Sequence, residues 1–153
     1  MTHCYLSSVL VLVGATLGCS SNSVPDANRA LRPLPLTSAA DLAAYEVADA
    51  ASDQLAAWYA DAFELRESGE ELPADDPLLD GCGAAAIDRI RLDAVEQAAS
   101  PELVTVLLAL AEAQQERLTA LVRPGKFRFK RHLEAERRVA ELRFGLRRWR
   151  LQR

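Results

Sequence analysis

From residue 38 onward the apolar positions fall at helical spacing. Ala44, Ala48, Ala51, Leu55, Trp58, Ala62 and Leu65 alternate steps of four and three, which is the seam of a helix packed against neighbours. Ser38 stands ahead of that seam as an N-cap, with Asp41 as a weaker capping-box partner. Gly69 follows it as a stop, so the pattern predicts a first helix from 38 to about 68. A second is predicted over about 84–99, with Ile87, Ile90, Ala94 and Ala98 turned inward. Ser100-Pro101-Glu102 supplies a cap, a proline for the first turn and an acid for the positive helix end. The third helix then carries Leu103, Leu107, Leu110, Gln114 and Leu121 on one face until Pro124-Gly125 halts it. Ala135, Val139, Leu142, Leu146 and Trp149 form the seam of a fourth helix, from near 130 to about 151.

The segments between these helices read as connections. Gly69 to Gly83 is a loop with a turn at Pro77–Asp80, and Lys126-Phe-Arg-Phe-Lys130 alternates like a strand. A lone strand has no partner, so that stretch is taken as the lead-in to the fourth helix. The expected fold class is all-α, a three- to four-helix antiparallel bundle.

Ahead of the bundle the pattern changes. Tyr5 to Gly18 is an uncharged apolar run, too short to span a bilayer, which takes about 20 residues, and of the size of a secretory h-region. The leader Met1-Thr-His-Cys4 carries no Lys or Arg, so the usual positive n-region is missing. Thr16-Leu17-Gly18-Cys19 resembles the end of a bacterial lipoprotein signal at the small residue before the cysteine and at the cysteine, and departs from it at Thr16. The resemblance implies cleavage after residue 18 and lipidation of Cys19, with Ser20 directing the protein to the outer membrane. Ser20 to Leu36 holds Pro25, Pro33 and Pro35 among small polar residues, the composition of a tether. The expected organisation is a signal peptide at 1–18, a tether at 19–37 and a helical domain at 38–153.

Charge divides that domain. Between Thr37 and Val122 eighteen acidic residues stand against four arginines, a net −14, whereas from Arg123 to Arg153 twelve basic residues stand against three glutamates, a net +9. The overall −4 conceals an acidic body, 38–122, and a basic amphipathic helix, 126–153. Three readings of that helix compete: it docks on the acidic body, it lies on anionic lipid with Trp149 and Phe144 at the interface, or it binds an acidic partner. Its candidate contact residues are Arg137, Arg138, Arg147, Arg148 and Trp149.

Other chemistry has little to stand on. Removing 1–18 leaves one histidine, His132, taken as a solvated side chain among basic neighbours, and no cysteine pair, so no metal site is expected. Cys82 would then be the one free thiol, inert in its Gly81-Cys82-Gly83 turn because no His or Lys lies near in sequence to activate it. Neither a Gly-rich phosphate loop nor a GxSxG elbow occurs. No cofactor is expected. Nucleic acid is not an expected partner, because the acidic body repels phosphate.

Residues 38–118 also resemble the secreted all-helical chorismate mutases. The likeness rests on Ala62-Phe-Glu-Leu-Arg66, Leu72-Pro-Ala-Asp-Asp-Pro77, Pro101-Glu-Leu-Val-Thr105 and Ala113-Gln-Gln115. It implies a pocket built from Gln54, Arg66, Asp80 and Gln115. The family's first-helix Arg falls near Gln54, its Lys on Glu64 or, with a one-residue shift, on Arg66, and its later Arg on Leu79, so the resemblance implies a non-catalytic relative: a dicarboxylate needs fixed cations, and here one cation would face two carboxylates. The function expected from the sequence is a lipid-anchored envelope protein acting as an adaptor or assembly accessory for another envelope protein. The alternatives are a chorismate-mutase-like enzyme and a membrane-surface binder.

Overall fold

A computed structural model describes residue 36 and residues 38–151; the expectations for the apolar run, for Cys19 and for most of the tether fall outside them. Four helices account for the domain, and the described residues contain no strand. Helix α1 is Ala39–Glu67 and α3 is Pro101–Val122. Helix α4 is Phe129–Leu151. Helix α2 is continuous from Cys82 but changes pitch: Cys82–Asp88 is α-helical, Arg89–Ala94 is a π turn, and Val95–Gln97 returns to α.

Cross-helix contacts fix the directions. Asp41 meets Ala99 and Ser100, Tyr59 meets Gln114, and Arg66 meets Arg123, so α1 and α3 run parallel. Phe129 meets Phe63, Arg143 meets Asp49 and Arg150 meets Tyr45, which sets α4 antiparallel to α1. The chain therefore goes up, down, up, down, with α2 and α4 on opposite sides of the α1–α3 pair. This is the antiparallel bundle that the spacing predicted, and the basic helix packs on the acidic body as part of one core.

The predicted seams of α3 and α4 are buried throughout, as are Ile87, Ile90 and Ala94 of α2. The α1 seam is rotated from its predicted line. Ala44, Ala48, Ala51, Leu55 and Ala62 are buried, but Trp58 is only partly so, while Tyr45, Ser52, Tyr59 and Arg66 are buried beside them. An a/d seam assumes a narrow contact; α1 touches α2, α3 and α4 and buries a wider arc.

The caps also differ from the sequence reading. Ser38 Oγ accepts the Asp41 N–H at 2.9 Å, as an N-cap should. The Asp41 carboxylate does not close the box. It reaches across the bundle and accepts the Ala99 and Ser100 N–H groups at 2.8 and 3.0 Å. It thereby supplies the cap for α3, where the Ser100 side chain makes no capping bond. Burial opposes the Asp41 charge, but these bonds outweigh it and hold the carboxyl below its usual range. Gly83 packs close to its neighbours: a Cβ there would lie 3.1 Å from Leu78 Cδ2 and 3.3 Å from Leu118 Cδ1, so both leucine side chains would have to give by a few tenths of an ångström.

Candidate functional site

The α3–α4 turn is built from alternating residues with opposite tasks. Phe127 turns inward against Phe63 of α1, ring centroids 5.8 Å apart and edge-on. Phe129 reaches the same ring at 5.9 Å, and His132 stacks on it at 5.0 Å. Lys126, Arg128 and Lys130, the alternate positions, are thereby left exposed. The strand-like alternation in the sequence thus marks an aromatic plug with cations outside it.

A single side chain fastens this turn from below. Arg66, 5% exposed, donates to the carbonyls of Glu70 at 3.2 Å, Arg123 at 3.1 Å and Gly125 at 2.5 Å. It ties the end of α1 to the end of α3. Gly125, at φ 86°, takes the left-handed conformation that lets the chain reverse, and its N–H donates to Glu71 at 3.3 Å.

Above the plug lies an open groove of about 880 Å³. Its cations are Arg123, Lys126, Arg128, Lys130 and Arg131, its apolar surface includes Phe127 and Phe129, and Glu134 is its one carboxylate. Lys130 leans toward Glu134 at 3.9 Å. Among the described residues, Arg123, Lys126, Arg128 and Arg131 form no ion pair. The chemistry of such a surface suits an anionic, partly apolar ligand: the charge would draw it in and the rings would give it area.

Beneath the groove the bundle carries a buried polar column. Tyr59 Oη donates to the Gln114 carbonyl at 2.9 Å, and burial pushes the Tyr59 phenol upward. The Arg117 guanidinium lies 4.7 Å from the centre of the Tyr59 ring and pairs with Glu136 at 2.6 Å. His132 is 1% exposed with Nδ1 unpartnered. Burial and the nearby Arg117 charge bring its pKa down to about 4, Glu136 opposing. The expectation of a solvated His132 is corrected: its sequence neighbours are charged, but Phe63 and Phe127 enclose the ring.

The structure separates the residues singled out from the sequence. Trp149 is 2% exposed and belongs to the core, so it is not a surface contact residue as expected; its place in the α4 seam is what counts. Arg147 is half-exposed but committed, 3.3 Å from Asp49 and 3.6 Å from Asp53, and Arg143, which was not singled out, joins the same two aspartates. Burial opposes the charge of Asp49, but Arg143 and Arg147 prevail and hold the carboxyl below its usual range. Arg137 pairs along its own helix with Glu141 at 3.3 Å and stays open to solvent. Arg138 is partly buried and Arg148 exposed. Residues 123–131 of the groove were missed as a cluster. The signal was present in five basic residues within nine positions, but which cations stay free is decided by tertiary pairing.

Of the four positions implied by the chorismate mutase resemblance, the two on α1 lie apart. Gln54 and Arg66 are both on α1, about 18 Å apart along its axis at 1.5 Å per residue. Gln54 and Asp80 are exposed and Gln115 is half-buried, while Arg66 spends its donors on backbone carbonyls. Asp80 accepts the Cys82 N–H at 2.9 Å. Hydrogen bonding to Asp80 and its charge also push the exposed Cys82 thiol upward, away from the reactive thiolate. No three His, Cys, Asp or Glu side chains among the described residues are grouped to hold a metal ion, and no described helix is long and apolar enough to cross a membrane.

No protein-family model, curated protein or solved structure matches this chain.

Proposed function

We propose that the protein is a lipid-anchored bacterial envelope protein, probed best as a non-catalytic adaptor, and that its basic groove takes an acidic segment of an envelope partner protein. One observation carries the reading. In a domain whose body bears net −14, four cations around an aromatic groove form no ion pair among the described residues, while Arg143 and Arg147 further along α4 pair with Asp49 of α1. Opposite charge on the same chain could have neutralised them, and a rigid turn pinned by Arg66 keeps them apart from it. A preorganised charged surface recognises a partner at little ordering cost.

A labelled poly-glutamate peptide tests the groove by fluorescence anisotropy. Binding is expected at low salt, to weaken as salt rises, and to drop by about tenfold or more in Lys126→Glu/Arg128→Glu/Arg131→Glu, because attraction becomes repulsion. Unchanged binding in that variant, or equally tight binding of a single-stranded oligonucleotide of matched charge, would overturn the acidic-protein reading.

The anchor rests on the uncharged run before Cys19 and on the tether composition. Mass spectrometry of the N-terminal peptide from membrane fractions is expected to find Cys19 first and carrying acyl chains, since stable anchoring needs more than one chain. A peptide that begins at Met1 without lipid sinks this part and leaves the groove untouched.

A further inference from the structure

Helix α4 is amphipathic twice. Its seam, from His132 to Trp149, faces the bundle. The outer side carries four of the seven large hydrophobic residues that stay exposed among the described residues: Phe129 at 45%, Leu133 at 40%, Phe144 at 64% and Leu151 at 81%. The other three, Leu79, Leu92 and Leu108, are scattered over the 68–81 loop, α2 and α3. At about 100° per residue, Phe129, Leu133, Ala140, Phe144 and Leu151 fall within an arc of about 60°, a straight stripe some 33 Å long.

Cations flank that stripe. Lys130, Arg137 and Arg148 lie along one margin by the same spacing. Lys130 and Arg137 side chains are 91% and 82% exposed. The Arg148 guanidinium lies 5.9 Å from the centre of the Phe144 ring. All three glutamates of α4 are paired: Glu134 and Glu141 to cations of this margin, and Glu136, at the opposite edge of the stripe, to Arg117 of α3. Arg123, Lys126, Arg128 and Arg131 extend the positive field at the turn. Among the described residues α4 touches only α3 and α1, and the stripe meets α1 at its Phe129 end, on Phe63.

We infer that the outer face of α4 lies on an anionic lipid bilayer surface, Phe129, Leu133, Phe144 and Leu151 entering the headgroup boundary while Lys130, Arg137 and Arg148 reach lipid phosphates. The combination of an apolar stripe with basic margins is what an interfacial helix needs, and long basic side chains keep their charge at the phosphate level while their stems cover apolar surface. Geometry adds a second argument. The C-terminal end of α4 sits beside Tyr45, whose ring lies 5.5 Å from the Arg150 guanidinium. The start of α1, where the chain coming from Cys19 joins the domain, is at that same end. Phe129 and Lys130 belong to both surfaces, but Leu133, Phe144 and Leu151 do not line the groove, so the stripe can be altered apart from it.

The test is vesicle flotation of the full chain carrying Cys19→Ser, which takes no acyl group. Vesicles of phosphatidylglycerol with phosphatidylethanolamine are compared with vesicles of phosphatidylcholine alone. The expected result is preferential flotation with the anionic vesicles, weakened by salt and lowered about tenfold in Leu133→Asp/Phe144→Asp. Any adsorption of the uncharged run at 5–18 is common to both proteins and both vesicles, so these differences isolate the stripe. Circular dichroism confirms that the variant keeps its helices. Should it not, Phe144→Ser/Leu151→Asp alters the two most exposed positions and serves instead. Equal flotation with both vesicle types, or flotation unchanged by the stripe substitutions, overturns the inference. So does a concentration-dependent dimer that the same substitutions abolish, since a second copy would then cover the face. The stripe variant is expected to bind poly-glutamate as the parent does, which keeps failure of this inference distinct from failure of the groove.

Discussion

Trp149→Ala lowers the free energy of unfolding by about 3–5 kcal/mol, the cost of emptying a core site of that size. The residue is 2% exposed and is among the largest fully buried side chains of the bundle. It lies two residues from the end of α4, so it closes the core where the helix would otherwise fray. Removing the indole takes away its contacts and leaves a void that flanking helices fill only in part. Urea denaturation followed by far-ultraviolet circular dichroism reads the loss as a lower midpoint. A surface tryptophan waiting for a partner would give a change within about 0.5 kcal/mol, and that result would show that the indole is not in the core.

The second large effect is a loss of stability on mild acidification, traced to His132. In the unfolded chain its pKa is the ordinary 6.5, and in the fold it is about 4. The native protein therefore keeps the ring neutral. Below pH 6.5 the unfolded state binds a proton that the native state does not, so stability falls as pH falls, and the loss is complete once pH passes below about 4. A shift of this size corresponds to roughly 3 kcal/mol at 1.36 kcal/mol per unit. The groups around the ring agree with the direction: Phe63 and Phe127 exclude water, Arg117 repels a second positive charge, and Glu136 is already held by Arg117. His132→Phe keeps the stacking and removes the proton site. Its unfolding midpoint should stay nearly level between pH 6.5 and about 5, where the parent declines. Asp41 and Asp49, held below the ordinary 3.8, contribute stability that is lost progressively below about pH 5, so the His132 effect is read alone between pH 6.5 and about 5. Parallel pH profiles for the two proteins would remove His132 as the cause.

Much of the architecture was legible because small and aliphatic residues carry it. The seam of α3 and the seam of α4 needed no knowledge of neighbours: a run of Leu at steps of three and four has one dry side wherever it is placed. Helix ends were equally readable at Ser38 and at Pro101. What escaped was polar burial. His132 lies between Lys130, Arg131 and Glu134 in sequence, and its enclosure comes from Phe63, which is far away along the chain. Arg66 looked like a site cation, yet its donors go to three carbonyls that become neighbours only after folding. Trp149 belonged at once to a seam and to a basic tail, and the seam was the sounder guide because burial of a large ring outweighs any use of it in solvent. The groove was hidden for a related reason. Of twelve basic residues after Val122, composition cannot tell Arg143 and Arg147, engaged with Asp49 and Asp53, from Arg128 and Arg131, which are not engaged.

The packing of α4 sets how this chain can change length. Each added or lost residue within a helix turns everything beyond it by about 100°. In most surface helices such a slip could be absorbed by the solvent side, where one residue is as good as another. Here the opposite side is patterned too, so a slip between Val139 and Leu142 would bring Arg143 or Arg147 toward the core and carry Trp149 out of it. Both ends of the helix would then be out of phase with Phe63 and Tyr45. A change of length is absorbed more easily in the 68–81 loop than within α4, and the turn after α3 has little slack because Arg66 holds two of its carbonyls.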